Sequence, residues 1–125
     1  MEEWTIAEMK LRMEAGQITS RQLVEGYLER IESLDRSGPA LNSVIEVNPE
    51  ALAIADECDA RRRAGAALEV LHGIPVLIKD NIDTADPMMT TAGSLALEGS
   101  KPGRDAFLVS QLRRSGAVLL GKTNL

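Results

Sequence analysis

The chain has 125 residues and is 44% apolar, yet Trp4, Tyr27 and Phe107 are its only aromatic residues. That length suits one domain that buries roughly two-thirds of its surface around an aliphatic core. Fourteen Lys and Arg against 19 Asp and Glu leave a net charge of −5, which excludes a nucleic-acid partner, because such binding needs a basic face.

The opening stretch is acidic and amphipathic, with no apolar signal core. No run in the chain approaches the ~18 apolar residues of a membrane span. A cytoplasmic location with no membrane partner is therefore expected. Thr5 with Glu8 forms a capping box, and Ile6, Met9 and Met13 recur at helical spacing until Gly16. Thr19 with Gln22 repeats the signal for a second helix, whose stripe is Leu23, Tyr27, Leu28, Ile31 and Leu34 and whose stop is Ser37-Gly38-Pro39. Residues 43–47, rich in β-branched side chains, read as a strand. Asn48 as N-cap and Pro49 at the first helical position then open a third helix. It ends at Arg61-Arg62-Arg63 before Gly65, where cations complement the helix dipole rather than form a binding patch. Cys58, the lone cysteine, lies on the apolar stripe of this helix and reads as a small core residue. It cannot form an internal disulfide.

Residues 73–79 form a continuous apolar run, the pattern of a strand buried on both faces. A long loop follows to about Arg104. Asp105 opens a further helix with Phe107, Leu108 and Leu112 inward, and Gly116 stops it. Ala117 to Leu120 is the last strand, left by Gly121-Lys122-Thr123-Asn124-Leu125. The order ααβαβαβ predicts an α/β fold with N-terminal helices and a partial, mainly parallel sheet carrying crossover helices. No helix follows the last strand to cover it, so the sequence reads as a domain cut short.

Two motifs bear on chemistry. Residues 116–123 satisfy the phosphate-loop pattern GxxxxGK[ST]. That pattern works only between a strand and a helix, where bare amides can cradle phosphate. Here a helix precedes it and its variable positions, Ala117-Val118-Leu119-Leu120, form a strand. Nucleotide binding is not expected. The second motif is Lys79, at the carboxyl end of an apolar strand, where ligand crevices of α/β sheets lie. Desolvation there would favour the neutral amine and make it a general base. The alternative is a lysine that reaches solvent or pairs with Asp80 or Asp83.

The runs 71–82, 89–97 and 112–125 together resemble the amidase signature family, in order and in spacing, and the resemblance extends back to residues 34–36 and 42–46. Within it the chain looks most like bacterial amidases of the peptide-amidase type, which release ammonia from carboxamides such as C-terminal peptide amides. The loop Asp83 to Met89 lacks the glycine usual in the corresponding polypeptides of tRNA-dependent amidotransferases. On this resemblance residues 1–40 are an N-terminal helical segment and residues 41–125 the start of the amidase α/β core.

The resemblance implies a Ser–cis-Ser–Lys triad and no metal or organic cofactor. The lysine matching Lys79, taken as neutral, accepts a proton through a serine beside a cis peptide bond. A second serine is thereby activated to form an acyl-enzyme. The expected partner is a small amide or peptide-amide substrate. Only 46 residues follow Lys79, and none of the eight serines lies in a Gly/Ser-rich loop, so both triad serines are expected beyond Leu125.

The 125 residues alone are then expected to be inactive, needing the C-terminal amidase region or a complementing chain. Asp80, Met88, Thr91, Gly93 and Ser94 are the candidate cleft residues. Met88 and Met89 either line the cleft or plug the core, and Ser94 reads as the N-cap of a short helix over 95–97 rather than as a nucleophile. Asp80, Asn81 and Asp83 more naturally cap turns than hold a metal. His72 matches a structural position of the family.

Two other readings compete with the fragment of an enzyme: a non-catalytic or complementing polypeptide on the same scaffold, and the A-type component of a tRNA-dependent amidotransferase. A truncated enzyme would expose Ala117–Leu120 and the faces of Val76–Ile78.

Overall fold

The computed structural model describes residues 3–125. Met1 and Glu2, the first two residues of the stretch that carries no signal core, lie outside the described residues. Both capping boxes are present. Thr5 and Glu8 start α1 (Ile6–Glu14), and Thr19 and Gln22 start α2 (Ser20–Arg30), each with reciprocal side-chain and backbone bonds. In α1 the buried positions are Met9 and Met13, whereas Ile6 is exposed. A π-helical turn, Ile31–Arg36, continues α2 and leaves Leu34 exposed. Its Asp35 is buried, and its carboxylate accepts the backbone N–H groups of Ser43 and Val44 and the Ser43 hydroxyl. Those bonds hold the Asp35 carboxyl below its ordinary range, the Ser43 hydroxyl contributing most. They also anchor the start of β1 (Val44–Val47).

The third helix, α3 (Ala51–Arg63), starts later than Asn48-Pro49 predicts, and Glu50 at its N-cap makes no side-chain bond. Asn48 is instead buried against the last strand. Its N–H donates to the Leu120 carbonyl at 2.9 Å and its Nδ2 to the Leu119 carbonyl at 2.8 Å. Its Oδ1 accepts from Glu50 N, an Asx turn that leads into the helix.

β2 (Pro75–Lys79), α4 (Phe107–Arg114) and β3 (Val118–Thr123) form a β–α–β unit, and β2 and β3 are parallel. The order is β1-β3-β2, with β1 antiparallel to β3. The sheet is thus mixed, one pair parallel and one antiparallel. The helical connection through α4 lets β3 return parallel to β2, since parallel neighbours need a crossover of this length.

β3 is central and apolar on both faces. Val118 and Leu120 pack with Val24, Ile31, Ala55 and Cys58 of α2, the π turn and α3. Leu119 faces the other way, onto Val109 of α4 and Ile78. Ala117–Leu120 is therefore buried rather than exposed, because β1, β2 and helices on both faces cover it. β2 is an edge strand and is not buried on both faces: Leu77 is 38% exposed and Lys79 is exposed. α4 also differs from expectation. It begins at Phe107, and Val109 and Leu112 face the sheet while Phe107 is 81% exposed and Leu108 points outward. Asp105 caps no helix. Its carboxylate accepts Ala85 N at 2.7 Å and pairs with Arg113, which also holds Asp86. This network folds the 80–106 loop against α4. Among the described residues no helix is long and apolar enough to cross a membrane.

Candidate active site

Parallel pairing sets Ile78 opposite Lys122 and Lys79 opposite Thr123, so β2 and β3 end together. Successive strand side chains point to opposite faces. Lys79 accordingly projects to the open side, and Asp80, one residue on, is completely buried. The Lys79 amine is not desolvated as its apolar run suggests. β2 is an edge strand, and the described residues leave the outward face at its end uncovered. Its partner is neither Asp80 nor Asp83: Nζ donates to the carbonyl of Asn124 at 2.9 Å. Asn124 is itself fixed by its N–H, which donates to the Ser43 carbonyl at 2.7 Å.

Asn124 also lines an open cavity of about 310 Å³, together with Ile45, Met89, Thr91, Gly93, Ser94, Leu95 and Glu98. Three of the residues proposed from sequence for the cleft, Thr91, Gly93 and Ser94, thus share one wall. The other two lie beneath it. Asp80 and Met88 are fully buried, and Met89 takes the lining position that the sequence assigns to its neighbour. Ser94 occupies the N-cap position of a short 3-10 turn (Leu95–Leu97), but its side chain makes no capping bond.

The wall is tightly built. Ala92 and Gly93 are both left-handed, with φ of 51° and 75°. A non-glycine residue held there stores strain, of the kind that collects at ligand-binding loops. Three bonds hold the turn. Ala92 N–H donates to the Asp80 carbonyl, Gly93 N–H to the Thr91 hydroxyl and Ser94 N–H to the Thr91 carbonyl. A Cβ on Gly93 would lie 3.2 Å from Asn124 Oδ1, so wall and strand end are in contact.

Lys122 is the residue whose place the sequence conceals. It lies within β3, completely buried, and its Nζ donates to the carbonyls of Ile82 (3.0 Å) and Met89 (2.9 Å) and to the Thr90 hydroxyl (3.1 Å). Asp80 Oδ1 is 4.0 Å away. Burial lowers the Lys122 amine below the ordinary lysine range, and the nearby Asp80 opposes that shift. The phosphate-loop pattern therefore has no loop: its lysine is consumed by the protein's own oxygens, and Gly121 is a strand residue. The signal available in advance was the position of Lys122 two residues past the apolar run Ala117–Leu120. Asn124 and Glu46, whose Oε2 accepts Met89 N at 2.8 Å, gave none.

The remaining candidates lie elsewhere. His72 is buried, with Nε2–H donating to the Cys58 carbonyl at 2.8 Å and Nδ1 2.9 Å from Glu69 Oε2. Cys58 is buried on α3, and burial pushes its thiol up, away from nucleophilic character. Among the described residues no group of three His, Cys, Asp or Glu side chains could hold a metal ion.

A model of the amidase family matches residues 22–125. The chain is 48% identical over 127 residues to a protein of Arabidopsis thaliana named as a probable amidase, covering 100% of this chain and 24% of that protein. It is 45% identical over 126 residues to the A-type component of the glutamyl-tRNA(Gln) amidotransferase of Halorhodospira halophila, with 100% and 25% coverage. Among solved structures it is similar to the native peptide amidase of Stenotrophomonas maltophilia, at 55% identity and a TM-score of 0.94, covering 98% of this chain and 25% of that one. An amidase family protein of Bacillus anthracis superposes with a TM-score of 0.92 at 38% identity, over 98% of this chain and 24% of that one. The chain thus spans about a quarter of the length of these relatives.

Proposed function

This chain belongs to the amidase family, and from that premise we propose that it supplies the base and one wall of the cleft of a serine amidase. The reaction is hydrolysis of a carboxamide to carboxylate and ammonia. A serine hydroxyl attacks the carbonyl carbon, the C–N bond breaks to release ammonia, and water cleaves the resulting ester. Lys79 takes the serine's proton through a second serine. Both serines come from residues other than these 125, and so does the covering that a lysine needs to act as a general base.

The observation that carries this reading is the placement of Lys79. It stands at the joint end of two parallel strands, tied to the Asn124 carbonyl, and Asn124 also lines a cavity walled by Thr91, Gly93 and Ser94. A peptide amide is the favoured substrate class, supported by the 55% identity to the Stenotrophomonas peptide amidase. The glycine-free loop from Asp83 to Met89 points the same way. The 45% identity to the Halorhodospira amidotransferase component supports a second reading, in which glutamine is the ammonia donor.

The test is ammonia release from a panel of primary amides that includes a C-terminal peptide amide and glutamine. It is run with the chain alone and with a polypeptide carrying the rest of a peptide amidase, each beside Lys79→Ala. Lys79-dependent release from the peptide amide, in the mixture only, is expected. Equal activity of Lys79→Ala in the mixture would overturn the role of Lys79. Robust Lys79-dependent turnover by the chain alone would place a nucleophile within it, with Ser94 first in line.

A further inference from the structure

We propose that Lys122 and Asp80 form a buried charge pair that positions Lys79 and the Thr91–Ser94 wall, rather than one that stabilises the fold. The functional half of this statement rests on the reading of Lys79 as the base. Both are positioning residues, since neither lines the cavity.

The pair is poorly arranged for stability. The two side chains are 0% and 1% exposed, so each charge has lost its water. Nζ and Oδ1 are 4.0 Å apart, beyond hydrogen-bond reach, and among the described residues Oδ1 has no hydrogen-bond partner. Apolar side chains of similar volume generally match or exceed the stability of such a pair. Its geometry makes sense as scaffolding instead. An ammonium group has three protons to donate, and all three of Lys122 go to the segment that follows Asp80, at Ile82, Met89 and Thr90. One side chain thereby fastens both ends of that segment to the central strand.

Asp80 completes the frame. Its N–H donates to the Thr123 carbonyl and its carbonyl accepts from Ala92, each at 2.9 Å. Its Oδ2 accepts the N–H of Thr91 at 3.2 Å and the Thr91 hydroxyl. A residue held on its N–H, its carbonyl and its carboxylate cannot drift, and Lys79 is the residue before it. On the other strand, Asn124, whose carbonyl receives the Lys79 amine, is two residues beyond Lys122. The same pair therefore fixes both ends of the Lys79–Asn124 bond and the backbone of the strained Ala92 turn.

The test uses this chain with Lys122→Met, and with Lys122→Met combined with Asp80→Leu. It follows amide hydrogen exchange, the urea midpoint and the NMR order parameter of the Lys79 side chain. In Lys122→Met the protection of the Thr91, Ala92 and Asp80 amides is expected to fall at least about tenfold, while Val24 and Ala55 in the core keep theirs. The double variant, with an apolar pair, is expected to recover the urea midpoint but neither the loop protection nor the order of Lys79. Recovery of all three in the double variant would overturn the proposal, leaving a merely structural pair, as would unchanged protection in the single variant. Should the single variant fail to fold, the double variant decides alone. None of these readouts depends on turnover, so a failed ammonia assay and a failed positioning role are told apart.

Discussion

Gly121 lies in the middle of the phosphate-loop pattern, and its substitution separates a packing role from a ligand role. It is opposite Val47 on β1 and Leu77 on β2, in the central strand. A Cβ there would stand 2.4 Å from the Glu46 carbonyl oxygen and 3.2 Å from Val47 Cα. Ordinary contact begins near 3.5 Å, so Gly121→Ala has to push the β1 backbone away by about 1 Å. The obstacle is backbone, not the tip of a flexible side chain. β1 is also pinned at both ends, by Asp35 at Ser43 and Val44 and by the bond from Asn48 N to the Leu120 carbonyl.

Overpacking typically costs 1–3 kcal/mol, and a clash with fixed backbone belongs at the upper end, about 3 kcal/mol. That is a large part of the roughly 5–15 kcal/mol available to a domain of this kind. With a denaturant slope of about 1–3 kcal/mol per molar, the urea midpoint should drop by about 1–3 M. Gly103→Ala is the control, because among the described residues nothing lies within 4 Å of a Cβ there and φ is not left-handed. It should be neutral or stabilising, by up to about 1 kcal/mol, through the entropy of the unfolded chain. Urea unfolding followed by circular dichroism measures both. A Gly121→Ala midpoint equal to that of Gly103→Ala would refute the steric argument.

Two further outcomes concern charge. The Arg61 hydrogen bond, with a second from His72, lowers the Glu69 carboxyl from 4.5 to about 2. A pKa lowered in the folded state contributes stability that is complete above about pH 4.5 and lost as pH falls through 2. Glu69→Gln should therefore flatten the urea midpoint against pH across that window, and curves that run parallel to the wild type would refute it. Arg113→Met removes the bonds of 2.7 Å to Asp86 and 3.0 Å to Asp105, leaving a carboxylate on Asp86 that is 2% exposed without its cation. A loss of about 2 kcal/mol is expected in urea unfolding, and a change under about 0.5 kcal/mol would show the network to be dispensable.

Features that depend on three or four consecutive residues were legible in advance. The capping boxes at Thr5–Glu8 and Thr19–Gln22 close over three residues, and both are present. The helical stripe of α2 and the position of Lys79 at the end of an apolar strand are equally local signals. So are the motif runs that led to the amidase family, which the match over residues 22–125 bears out.

What the sequence could not decide is whatever depends on which strand becomes central. Lys122 and Lys79 each follow an apolar run. One is completely buried and the other exposed, because β3 is flanked by strands on both sides and β2 on only one. The same asymmetry buries Ala117–Leu120. Asn48 could cap a helix by its local pattern, but β3, some 70 residues on, claims its amide first. On α4 the choice between Phe107 and Val109 as the inward residue turns on the helix's starting point, which the Asp105–Arg113 and Asp105–Ala85 bonds displace. Periodicity and capping act over one helical turn, and so the sequence alone determined the elements and the family. Strand order, the burial of Lys122 and the Lys79–Asn124 bond rest on contacts about 30 to 70 residues apart, whose free energy exists only once the sheet has assembled.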